Sequence, residues 1–315
     1  MKRNRYGFLF LLMSLFLILI FTGCVDQHQK PDGKESKYLV EGSTALRVAP
    51  ENPRIIATSA ATCDIMERLD IKLIGRPTEL TTPLPRKYMD DPSVKDIGGP
   101  MAPDIEVMKS LKPDYVIGPA TLQPAFEGKF QKAGIPYVFI NLKSVQGLYA
   151  SIDQLGTLFG KEKQAKKEVK EYEKIMKEYR KTHKRDKKPK VLILMGVPGA
   201  YIVATPESYV GNLVELAGGD NIYSDSDEEF IRANTEDMNL RDPDIILRCA
   251  HAMPDVVRDM FAEEFSTNDI WKHFRAVKED RVYDLTWDHF GMSAKFNWPE
   301  ALEELEPYLY PKNKK

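Results

Sequence analysis

The sequence predicts an α/β protein: two Rossmann-like lobes joined by one long helix, with a ligand cleft between the lobes. The first observation behind this is an internal repeat. The segments LKPDYVIGPATLQP (111–124) and LRDPDIILRCAHAMP (240–254) match at one constant offset, aligning Pro113 with Pro243, Asp114 with Asp244, Ala120 with Ala250 and Pro124 with Pro254. Each reads as a helix end, a Pro-Asp turn, a buried strand and a proline in the first turn of another helix, where its missing N–H leaves nothing unpaired. A second pair, RIIATSAAT (54–62) and AYIVATPES (200–208), aligns Ala57-Thr58 with Ala204-Thr205. The third observation is the stretch between the halves. Leu148, Ile152, Leu155, Leu158 and Phe159, then Val169, Tyr172, Ile175, Met176 and Tyr179, follow helical spacing with a charged outer face. One helix over 147–185 is therefore expected, with only modest closure of the lobes on a ligand.

The elements follow in chain order. Lys2, Arg3 and Arg5 precede an apolar run from Phe8 to Phe21 that ends at Thr22, Gly23 and Cys24. This is the pattern of a secretory signal (1–23) with an acylated cysteine at its end. Two acyl chains on Cys24 would anchor the protein stably to the extracytoplasmic face of the cell membrane. The polar stretch that follows (24–38) reads as a flexible tether. Residues 39–146 form the first expected lobe and 186–315 the second. The formal net charge of −2 offers no bulk attraction to nucleic acid. With Cys24 acylated, Cys63 and Cys249 make no disulfide framework.

Open α/β sheets bind ligands beyond the carboxyl ends of their strands. His251 directly follows the strand Asp244–Arg248, and its counterpart in the first half is Thr121. In DIGGPMAPDIEVMKSL (96–111), Gly98-Gly99-Pro100 make a tight turn and Met101 stands at its exit. Pro103 opens a helix whose apolar stripe is Ile105, Val107, Met108 and Leu111, and Met101 lies outside that stripe. No enzyme signature is present: there is no Gly-x-Ser-x-Gly elbow or phosphate-binding glycine loop. MGVPGAY (195–201) has glycines without the motif and reads as a strand-turn-strand link.

These features resemble the bacterial substrate-binding lipoproteins of ABC importers for siderophores, cobalamin and heme. The segments KVLILMGVPGAYIVATPESYVGNLVELAGG (190–219), NTEDMNLRDPDIILRCAHAMP (234–254) and NDIWKHFRAVKEDRVYDL (268–285) are similar to the heme-binding members from Gram-positive bacteria. The resemblance implies the class III substrate-binding fold and a transported ligand, heme b (iron protoporphyrin IX). It implies as partners an ABC permease in the membrane and upstream surface proteins that donate heme, with the binding protein itself a monomer. It further implies that the iron is held by a methionine in the Gly-x-Pro-Met-x-Pro turn and a histidine after the Pro-Asp strand, here Met101 and His251. Neutral imidazole and thioether are both good axial ligands.

Each assignment has a blander counterpart. His251 could cap a helix, and Met101 could plug a core. Met253, Met292, His289 and Cys249 are substitute ligands, although the place of Cys249 at a strand end favours packing. His28, His183 and His273 read as surface or packing residues. Val197, Tyr201, Phe290 and Met292 are candidates for an apolar slot. Backbone N–H groups at Ser59, Ala60 and Ala61, with Thr78 and Thr82, are candidates for the propionates. Asp64 and Glu67 in the first lobe, and Glu207 and Glu215 in the second, could dock the permease or could be ordinary solvated acids. A ferric siderophore remains the alternative ligand, and such sites usually gather several Arg, Tyr or Trp residues. A heme-degrading enzyme would need an open iron position, which a Met/His pair closes.

Overall fold

A computed structural model describes residues 41–42, 49–184 and 187–311, all within the unit Tyr38–Lys315. The signal, Cys24, His28 and the tether lie outside the described residues. The first lobe runs β1 (Glu41–Gly42), β2 (Ile55–Ala57), α1 (Ala60–Arg68), β3 (Gly75–Arg76), α2 (Arg86–Met89), β4 (Lys95–Asp96), β5 (Gly98–Gly99), β6 (Ala102–Pro103), α3 (Ile105–Ser110), β7 (Tyr115–Pro119), α4 (Gln123–Ala133) and β8 (Tyr137–Ile140). Its main sheet has the order β1-β8-β7-β2-β3-β4. All pairings are parallel except β1 with β8. Helices cover both faces, so β2, β7 and β8 are buried along their whole length and read as continuous apolar runs.

Two helices, α5 (Val145–Leu158) and α6 (Glu162–Thr182), lead to the second lobe. There follow β9 (Lys190–Val197), β10 (Ala200–Ala204), α7 (Tyr209–Leu216), β11 (Asp220–Asn221), β12 (Phe230–Arg232), α8 (Thr235–Leu240), β13 (Ile245–Ala250), α9 (Pro254–Thr267), α10 (Arg275–Lys278), β14 (Val282–Asp284) and α11 (Trp298–Leu309). The second sheet has the order β12-β10-β9-β13-β14, with β11 beside β9.

The repeated Pro-Asp turns do the same work in both lobes. Asp114 accepts a hydrogen bond from the backbone N–H of Arg54 at 2.7 Å, and Asp244 accepts one from that of Lys190 at 2.7 Å. Two residues earlier, Lys112 and Asp242 both take left-handed backbone, with φ 47° and 50°. These bonds make β9 the counterpart of β2. The second sequence pair, which aligned 54–62 with 200–208, is thus corrected. β10 is antiparallel to β9, and what the two segments share is only a strand followed by a serine-capped helix.

The single connecting helix is also corrected. Gly160 takes φ +63°, a conformation open to glycine at little cost, and separates α5 from α6. The helices then pack on each other, Tyr149 stacking on Tyr172 with ring centroids 4.4 Å apart. Gly156 permits this, since a Cβ there would stand 2.4 Å from that of Ala165. What joins the lobes is therefore a helical hairpin inside a common core. One buried cluster runs from Ile55 and Ile117 of the first lobe through Leu148, Leu155 and Met176 to Val191, Leu247 and Trp298 of the second. Polar bonds reinforce it: Asn212 of α7 accepts from the N–H of Val145 at 3.0 Å, and Leu142 accepts from that of Ala294 at 2.7 Å. Arg68 of α1 ion-pairs with Glu168 of α6 at 2.9 Å and lies 3.8 Å over the ring of Phe296 in the second lobe.

Candidate functional site

Met101 occupies the tip of a two-residue hairpin between β5 and β6, which pair through Gly98 with Pro103 and Gly99 with Ala102. Gly98 takes φ +89°, and a Cβ there would meet the carbonyl oxygen of Ala102 at 2.9 Å. The hairpin follows β4 directly, at the carboxyl edge of the first sheet. Asp96 supports it from below. One carboxylate oxygen accepts from Thr78 Oγ1 at 2.7 Å and from the Gly98 N–H at 2.9 Å, while the other accepts from Arg76 at 2.9 Å. The N–H of Thr78 in turn donates to the Gly98 carbonyl at 2.9 Å. Burial alone would raise the Asp96 carboxyl, but these bonds outweigh it and hold the group below its usual range.

His251 stands at the matching edge of the second sheet, where its N–H donates to the carbonyl of Gly196 at 2.9 Å. The residue is exposed by surface area, yet protein crowds the ring. Burial first, and repulsion by Lys295 second, lower its imidazole below the ordinary histidine range and favour the neutral, ligating form. The turn that carries it is strained: Met253, just before Pro254, adopts left-handed backbone at φ 47°.

Lys295 connects the lobes electrostatically. Its ammonium donates to the carbonyl and carboxylate of Asp288 at 2.9 and 3.0 Å. It also acts on His251 and on Asp64 of α1. Around the two turns, apolar side chains are left in the open. Among the described residues, Leu80, Met101, Leu240, Met253 and Val256 are the exposed large hydrophobics, and all but Leu240 lie on or beside these turns. Exposed apolar groups gathered in this way mark a surface for an apolar ligand or partner.

Several sequence candidates fall elsewhere. Phe290 is fully buried, so it belongs to the core and cannot line an open slot. Tyr201 packs on Phe261 under α9 and donates to Glu264 at 3.1 Å. Alternation along β10 turns it to the α9 face of the sheet. Met292 is half-buried against the shared core, while Val197 lies half-buried at the end of β9 beside Gly196. The Ser59 hydroxyl caps α1 by accepting from Thr62 N–H at 3.2 Å, with Ala60 and Ala61 packed on the core. Thr78 is committed to Asp96, and Thr82 is half-buried.

Cys249 is buried on the core face beside Met195, its thiol pushed up by burial. His289 bonds Glu304 at 2.8 Å, and His183 stacks on Tyr179, whereas His273 is exposed. Among the acids, Asp64 is half-buried and its carboxyl is raised by burial to about 6, which removes it from any exposed docking face. Glu67 and Glu215 are exposed and Glu207 half-buried. Among the described residues no cluster of three or more His, Cys, Asp or Glu could hold a bare metal ion. None of their helices is long and apolar enough to cross a membrane. Asp96, Arg76 and Lys295 were not legible in the sequence; the only cue was an acid placed before a Gly-Gly turn.

Two α/β lobes with a shared core, each bearing an exposed turn at its carboxyl edge, define the class of bilobal substrate-binding proteins. The chain belongs to the periplasmic binding protein family, whose profile matches residues 55–288. It is 37% identical over 307 residues to the high-affinity heme uptake system protein IsdE of Staphylococcus aureus strain Newman, covering 97% of this chain and 98% of that protein. Among solved structures it is similar to S. aureus IsdE complexed with heme, with TM-score 0.76 and 40% identity over 82% of this chain and 99% of that one. It also resembles an ABC transporter substrate-binding protein from Listeria monocytogenes EGD-e, with TM-score 0.77 and 44% identity over 83% and 100% of the two chains. The fold extends to Bacillus subtilis FeuA complexed with ferri-bacillibactin, at TM-score 0.65 and 22% identity.

Proposed function

We propose that this chain is the extracytoplasmic heme-binding component of an ABC importer, taking heme from surface donor proteins and delivering it to the permease. The observation that carries this reading is the near full-length similarity to IsdE, together with a methionine and a histidine left exposed at the carboxyl edges of the two lobes. Met101 and His251 serve as the axial ligands of one heme b. A thioether and an imidazole saturate the iron, which suits carriage rather than oxygen chemistry. The thioether is the weaker donor, so its departure starts release. The exposed Leu80, Met253 and Val256 supply apolar contact for the porphyrin. Cys24 carries the lipid that holds the protein on the cell surface as a monomer, and the exposed acids Glu67 and Glu215 are the docking acids presented to the permease. Titration of the purified protein with hemin, beside a ferric catecholate siderophore, tests the reading. A saturable low-spin heme spectrum and no response to the siderophore are expected; the reverse pattern would give the siderophore reading instead.

A further inference from the structure

The Met101 hairpin has almost no packing of its own: it is short, its tip is exposed, and its strands are two residues each. A ligand on such a turn keeps its position only if something below fixes the turn. The Asp96 side chain reaches its base, accepting from the Gly98 N–H. Its carboxylate ties two stretches of chain together: Arg76 and Thr78, at and just beyond the end of β3, and the Gly98 N–H where the hairpin begins. The side chain of Arg76 is 13% exposed and also donates to the Pro77 carbonyl at 3.0 Å, so the anchor is itself held firmly.

We infer that Asp96 is a positioning residue for the iron ligand Met101, with Thr78 and Arg76 completing the support. The inference rests on the heme reading above. It assigns Thr78 a role other than contact with a propionate: its hydroxyl orients the carboxylate that orients the hairpin. Supports of this kind around metal ligands change metal affinity by about 10–100-fold when removed.

The test is a double-mutant cycle in the full chain, read by hemin affinity and by the near-infrared magnetic circular dichroism that reports methionine ligation. Asp96→Ala is expected to lose the methionine signature and weaken heme retention about tenfold, leaving an open position that added imidazole fills. Asp96→Asn should retain most of the signature, because its amide oxygen still accepts from Thr78 and Gly98. In a Met101→Ala background Asp96→Ala should have no further effect, since the residue acts through the ligand it places. Thr78→Val gives a second, milder probe should Asp96→Ala fold poorly, with a partial loss expected. An unchanged signature in Asp96→Ala, or in Thr78→Val where that is the variant that folds, overturns the inference. Equal loss with and without Met101 also overturns it, showing a general structural role. If Met101→Ala itself leaves the wild-type signature intact, the reading of Met101 as ligand falls first and this inference with it.

Discussion

The Pro113-Asp114 and Pro243-Asp244 turns anchor their lobes through the same bonds, yet the loops at the far ends of the strands they launch are unlike. Beyond β7 the chain passes through Ala120–Leu122 into α4, with Thr121 in the place of His251. Beyond β13 it presents His251 on a turn strained at Met253. The first lobe has its candidate donor, Met101, on a hairpin after β4. The scaffold is therefore repeated, while the two proposed ligands fall at non-equivalent positions of the repeat. Stability and ligand binding should accordingly separate under mutation.

The sharpest separation is expected at Phe290, which belongs to the scaffold despite lying in the loop that carries Lys295. Phe290→Ala should destabilise the fold by about 3–5 kcal/mol by opening a core cavity. The heme spectrum of the protein that remains folded should be unchanged, and denaturant titration beside hemin titration checks both halves. Next come the paired turns. Asp114→Ala and Asp244→Ala should each cost about 0.5–1.5 kcal/mol, because each removes a hydrogen bond to a backbone N–H at the exposed start of an inner strand. Similar losses would confirm the repeat; a loss in only one lobe would break it.

A smaller effect attaches to Asp64. Its folded carboxyl holds the proton up to about 6, whereas an ordinary aspartate releases it near 3.8. Between those values the folded state binds more protons than the unfolded chain, so this residue lowers stability as pH rises and adds no further loss above about 6. Asp64→Asn should therefore gain stability over wild type progressively from pH 4 to 6, then stay level to pH 8. A constant difference across that range would contradict the burial assigned to Asp64. The smallest expected change is in shape: small-angle scattering with and without heme should nearly coincide. The reason is the common core and the Arg68 bridge, rather than the continuous helix that apolar spacing alone predicts.

How far the sequence could be read follows from the same contrast. The Pro-Asp repeat was legible because each aspartate has a local job that fixes its neighbours. The candidate donors stood out because Met101 falls outside the apolar stripe of the helix after it and His251 directly follows the Pro-Asp strand. The break at Gly160 showed only as an interruption of the apolar spacing near Gly156 and Gly160, since that spacing resumes in α6 and the left-handed backbone of one glycine is what turns the helix back. Tyr201 and Phe290 were misplaced because a residue near a strand or turn end faces cleft or core according to which helix packs over it. Arg76 and Thr78 meet Asp96 only because β3 pairs with β4 in the sheet, and no motif joins them.

The central claim is that two non-equivalent turns, one per lobe, hold one iron. Magnetic circular dichroism and absorption of hemin-loaded Met101→Ala and His251→Ala test it most directly. Met101→Ala is predicted to keep heme through His251 with one position opened, and His251→Ala to weaken capture more severely. Retention of the wild-type low-spin spectrum by both variants would contradict the account, because neither residue would then be an axial ligand.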